Sequence, residues 1–146
     1  MADHLKNSLS LNADRALFEG QIQGLAVTFY ENERPPFGLA GVLDWHFQGA
    51  ISRYLRNGVI TGKQGECTYF PLTKNGITYH LILAGAGHAT SPGQRAQVPA
   101  STLQNLQKNL SSLKLPKIGV SKADFGQVTP EYFAKNLKGV PLWIAP

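Results

Sequence analysis

Apolar residues change period several times along this chain, and each change marks an element. "LAVTFY" (Leu25–Tyr30) is a continuous apolar run of the kind a strand buried on both faces needs, and the polar "ENERPP" ends it. "ITYHLILAG" (Ile77–Gly85) is a second such run. It begins after Asn75-Gly76, a pair suited to the positive φ angles of a tight hairpin, so "ECTYFPL" before the pair becomes its antiparallel partner. "KIGVS" reads as a shorter strand, and the closing "VPLWIAP" as an edge strand.

Between these runs the period is helical. Leu43, Phe47, Ile51, Tyr54 and Leu55 predict one continuous helix, with Asp44 near its positive N-terminal end, Arg53 and Arg56 near its negative end, and Gly58 closing it. Leu103, Leu106, Leu110 and Leu113 line a second helix from Pro99 to Lys114, which Pro116 cannot continue. A third spans Pro130 to Lys138, with Thr129 as N-cap and Gly139 after its end. Strands alternating with helices around a central hairpin predict an α/β fold, a three-layer α/β/α sandwich on a mixed sheet, as one domain over residues 1–146.

A hydrophobic content of 42% and a charged content of 16% fit a folded soluble domain and exclude a disordered chain. Cys67 is the lone cysteine, which rules out an intrachain disulfide and a thiolate-rich zinc site. The N-terminal "MADHLKNSLSLNADRALFEG" lacks the basic start and apolar run of a signal peptide. No apolar stretch approaches the ~20 residues of a membrane span, so the sequence predicts a cytoplasmic protein with no membrane contact. Residues 1–67 carry six Lys/Arg against seven Asp/Glu, and residues 68–146 carry eight against two. A basic half of this kind attracts nucleic acid or acidic partners. The cations are dispersed, however, and aromatics do not alternate with them, so a solvated surface is the simpler reading.

Candidate chemistry is sparse. "GVITGK" has three residues between its first Gly and the Gly-Lys pair where a P-loop has four, and Gln64 stands in place of the magnesium-binding hydroxyl. "GAGHAT" (Gly85–Thr90) starts like a dinucleotide fingerprint but has Thr90 at its sixth position and no helix directly after it. His4, His46, His80 and His88 have neither the spacing nor the acidic neighbours of a metal site. His80, within a buried strand, is expected to be hydrogen-bonded, and Cys67 to be an inert thiol. No catalytic residue, metal or cofactor is predicted.

The order of motifs from Leu25 to His88 carries more information than any one of them. An apolar strand leads to a Gly-flanked helix containing an Asp. The turn formed by Gly58, Ile60, Gly62, Lys63, Gly65 and Glu66 follows, then a strand ending in Pro71 and a second apolar strand ending in Gly85-x-Gly87. This order resembles the N-terminal domain of the leucyl aminopeptidase family. The resemblance implies a macro-like α/β/α fold, related to macro domains that bind ADP-ribose. It also implies a scaffold without the zinc-dependent peptidase chemistry, which in that family belongs to a separate domain with an "NTDAEGR"-like motif that is missing here. Macro domains that hold ADP-ribose carry an "NAAN"-like segment before the glycine turn, whereas "ENERPPF" has Asn32 alone and "GLAG" (Gly38–Gly41) is a thinner version of the usual triple glycine.

Three functions compete. One is a non-catalytic module acting through a protein partner or self-association, with Trp45 as an interface anchor unless it packs within its own domain. The second is binding of ADP-ribose or another phosphate ligand by Gly38, Gly41, Gly85, Gly87 and His88, using backbone N–H groups as donors; Asp44 would oppose the phosphate. Nucleic-acid binding through the basic half is the third.

Overall fold

The computed structural model describes residues 7–91, 95 and 97–146, so His4 lies outside the described residues. In chain order the elements are α1 (Ala13–Phe18), β1 (Gly24–Phe29), α2 (Gly38–His46), α3 (Ala50–Arg56), β2 (Cys67–Lys74), β3 (Ile77–Gly85), α4 (Ala100–Leu113), β4 (Ile118–Ser121), α5 (Pro130–Asn136) and β5 (Leu142–Ala145). A short 3₁₀ turn, Ala123–Phe125, separates β4 from α5.

The strands form one mixed sheet in the order β2-β3-β1-β4-β5. Among the described residues only β2 and β3 pair antiparallel, through the Asn75-Gly76 turn, where both residues have positive φ as such a hairpin requires. β1 lies parallel to β3 on one side and β4 on the other, and β5 runs parallel to β4. A sheet with helices on both faces buries both faces of its middle strands, which explains why β1 is buried at all six positions. Two cores result. One joins Leu25, Val27, Leu81 and Leu83 to α1, α2 and α3; the other joins Ala26, Ile82, Ile118 and Val120 to α4 and α5. The α/β/α sandwich expected from the sequence is therefore observed, and β5 is the terminal strand of the sheet, with an isolated bridge from Ser8 to Ile144 on its outer side.

Two helical expectations need correction. The stripe from Leu43 to Leu55 is broken into α2 and α3, because Gln48 (φ 53) and Gly49 (φ 77) turn left-handed and re-aim the chain. Asp44 therefore lies near the end of α2 rather than at a helix start. Its buried carboxylate accepts from Ser52 N (2.9 Å) and Ser52 Oγ (2.6 Å), satisfying donors at the beginning of α3. The third helix ends at Asn136, two residues short of Lys138. α1 was not legible from the apolar pattern. α4 matches its expected span, with Leu103, Leu106 and Leu110 buried and Lys114 capping it in the left-handed region.

Candidate functional site

Parallel strands deliver their carboxyl ends to one edge of a sheet, where open α/β sheets bind ligands. Here the loops after β1, β3 and β4 meet there. The side chain of Asn32, after β1, donates to Ala89 O and accepts from Ala89 N, both at 2.8 Å, and so ties the first loop to the second. At the centre lies Arg95, whose side chain is 8% exposed. Its Nη1 donates to Glu33 Oε2 (2.9 Å) and its Nη2 to Phe37 O (2.8 Å), while its guanidinium carbon sits 4.6 Å from the centre of the Tyr30 ring. Asp124 supplies the third wall: Thr28 N donates to its Oδ2 (2.8 Å), and its Oδ1 lies 3.9 Å from Arg95 Nε. Burial raises the Asp124 carboxyl to about 6, although the Thr28 N–H and the Arg95 charge pull the other way.

Arg95 divides this edge into two cavities. One, of about 330 Å³, is lined by Gly38, Leu39, Ser121, Ala123, Asp124 and Gln127 beside Arg95. The other, of about 470 Å³, includes Tyr30, Gln64, Gly87, His88 and Ala89. Gly38 lines the first cavity and Gly87 and His88 the second, with Arg95 lining both. Gly38 has φ +64, and a Cβ there would stand 2.8 Å from Arg95 Nη2. Gly41 and Gly85 do other work. Gly41 lines a groove beside Trp45, and Gly85 is buried where a Cβ would meet Lys63 O at 2.2 Å. His88 is exposed, 3.8 Å from Glu31.

Three of the donors expected to cradle a phosphate, at Gly41, Gly85 and Gly87, are already engaged. Gly85 N donates to Glu66 O, Ala86 N to Phe29 O, Gly87 N to Gly62 O and Gly41 N to Phe37 O. In the "TGKQGE" turn the Glu66 carboxylate takes the N–H groups of Thr61 (2.9 Å) and Gly62 (2.7 Å), so the protein supplies its own anion there. His80 Nδ1 lies 2.6 Å from Tyr69 Oη, the partner its buried strand called for. Burial pushes the Cys67 thiol up to about 11, against a smaller lowering by Asn109. Among the described residues no group of three or more His, Cys, Asp or Glu could hold a metal ion, and no helix is long and apolar enough to cross a membrane.

Trp45 does not pack inside its own domain. It is 78% exposed, with its ring edge-on to His46, and Val42 and Phe37 extend the apolar surface on α2 and just before it. The indole stands as a ridge between a groove of about 560 Å³ along Pro36, Phe37 and Val42 and another of about 630 Å³ reaching Gln48 and Lys74. Glu33, Arg95 and Asp124 were missed by sequence reasoning, since 62 residues separate Glu33 from Arg95 and no local pattern joins them.

The strand order and covering helices define a macro-type α/β/α fold. The macrodomain of Thermus aquaticus DarG is similar in structure, with a TM-score of 0.63 at 13% identity over 96% of this chain and 97% of that one. Thermosipho africanus DarTG in complex with ADP-ribose gives 0.59 at 12% identity, over 88% of this chain and 39% of that one. A tomato leucine aminopeptidase mutant gives 0.57 at 17% identity, with 95% of this chain covering 31% of the enzyme. No family model and no curated protein matches the chain by sequence.

Proposed function

We propose that this chain is a non-catalytic macro-type domain, akin to the N-terminal domain of leucyl aminopeptidases, that works through protein contacts. The observation that carries the reading is the exposed Trp45 ridge with Val42 and Phe37 beside it, because a Trp with grooves on both sides has the shape of an interface anchor. The crevice at the sheet edge supports it from the other direction. Glu33 and Asp124 both face inward there, against one Arg, and a pyrophosphate would meet more negative charge than positive. The side chains with reactive chemistry have structural partners instead: Asp44 holds Ser52, His80 holds Tyr69, and the Cys67 thiol is held protonated.

A second reading, ADP-ribose binding, draws support from the likeness to an ADP-ribose complex and from the cavity of about 470 Å³ at Tyr30, Gly87 and His88. Isothermal titration with ADP-ribose, with pyrophosphate as control, separates the two. The protein-contact reading expects no heat at ligand concentrations near 1 mM, where binding is worth only ~4 kcal/mol. Saturable heat that pyrophosphate does not reproduce replaces it with the second reading.

A further inference from the structure

Four groups converge on the head of Arg95 from two separate loops: the Glu33 carboxylate, the Phe37 carbonyl and the Tyr30 ring face from the loop after β1, and the Asp124 carboxylate from the turn after β4. Acceptors on two sides and an aromatic face fit a planar, forked, delocalised cation, and fit a compact ammonium less well. Gly38 leaves room for one arm of the fork, since a Cβ would crowd Nη2. The fit is incomplete at one point. Arg95 Nε and Asp124 Oδ1 are both buried, face each other at 3.9 Å, and have no hydrogen-bond partner among the described residues. A guanidinium free of the Arg95 stem can shift by the ångström needed to close that gap.

We infer that the crevice at the carboxyl edge of the sheet is a receptor for a monosubstituted guanidinium group, the head of an arginine, with Arg95 as its built-in occupant. The site favours a cation because two buried carboxylates, Glu33 and Asp124, face the position of the Arg95 head, and a positive group offsets their charge. This inference does not depend on the protein-contact reading. Saturable ADP-ribose binding by the wild-type chain sinks that reading, whereas the receptor is tested on a variant with the crevice emptied.

The test is chemical rescue. Arg95→Ala is melted with about 10 mM ethylguanidinium, with equal ethylammonium, and with equal sodium chloride. Ethylguanidinium is expected to raise the variant's Tm by roughly 3–5 °C, saturably, and to leave the wild type unmoved. Adding Glu33→Gln to the variant should abolish the rescue. Equal rescue by ethylammonium, no rescue, or saturable heat from pyrophosphate in its place overturns the receptor. If Arg95→Ala does not fold alone, folding in ethylguanidinium and not in ethylammonium is the same positive result, and failure in both the same negative one. In wild-type protein, ¹⁵N spectra should show the Arg95 guanidinium rotating slowly about its Nε–Cζ bond; free rotation contradicts a site that grips both arms.

Discussion

Asp124 shows how burial and pairing compete at one residue. Its folded pKa of about 6 lies above the ordinary aspartate value, so the folded chain binds this proton more tightly than the unfolded chain does. The stabilisation is full below about pH 4 and is lost as pH rises through about 6. Asn at this position cannot titrate, so the wild-type stability in urea should fall relative to Asp124→Asn between those limits; a constant difference refutes the assignment. Cys67 offers a kinetic check. With its thiol raised to about 11, iodoacetamide at pH 7 should alkylate the folded chain at least ~100-fold more slowly than the urea-unfolded chain. Residue identity alone disclosed only part of this. Gly38 and Gly87 were read as ligand-binding positions, and both line cavities at the sheet edge. That Gly38 makes room for an arginine was invisible, because Arg95 reaches it from 57 positions away across the fold.

Among the elements, the strands were the most legible. Continuous apolar runs at Leu25–Tyr30 and Ile77–Gly85 have one explanation, burial on both faces, and Asn75-Gly76 fixes the hairpin. The break between α2 and α3 was hidden because both short helices bury the same apolar series, Leu43, Phe47, Ile51 and Leu55, and because Gln48 is not a residue type that favours left-handed backbone. α1 escaped because six residues with Ala13, Ala16 and Leu17 buried give too little period to read. Asp44 joins the broken pair. Asp44→Ala leaves Ser52 N without its acceptor and should cost about 1–3 kcal/mol in urea unfolding, with Asp44→Asn intermediate. An unchanged midpoint means the two helices are held by packing alone.

At the scale of the whole molecule, shape and charge were legible to different depths. The α/β/α sandwich followed from the alternation of elements, and the macro-type fold that the resemblance implied is observed. The charge map did not follow from counting. Arg95, one of the eight basic residues after Cys67, is turned inward onto Glu33 and does not belong to the solvent-facing field. Trp45 belongs at this scale too, since it touches little of its own domain. Trp45→Ala should shift unfolding free energy by no more than ~0.5 kcal/mol. A loss of several kcal/mol makes the indole structural and removes the anchor from the protein-contact reading. The sheet order has a further consequence, for synthesis. The central strand β1 is made first, yet its neighbours are β3 and β4, so one of its flanks has no partner until Ile118 and Gly119 have left the ribosome. Until then its unpaired backbone N–H and C=O groups are open to strands of other nascent chains, and any pause in translation between β3 and β4 lengthens that exposure.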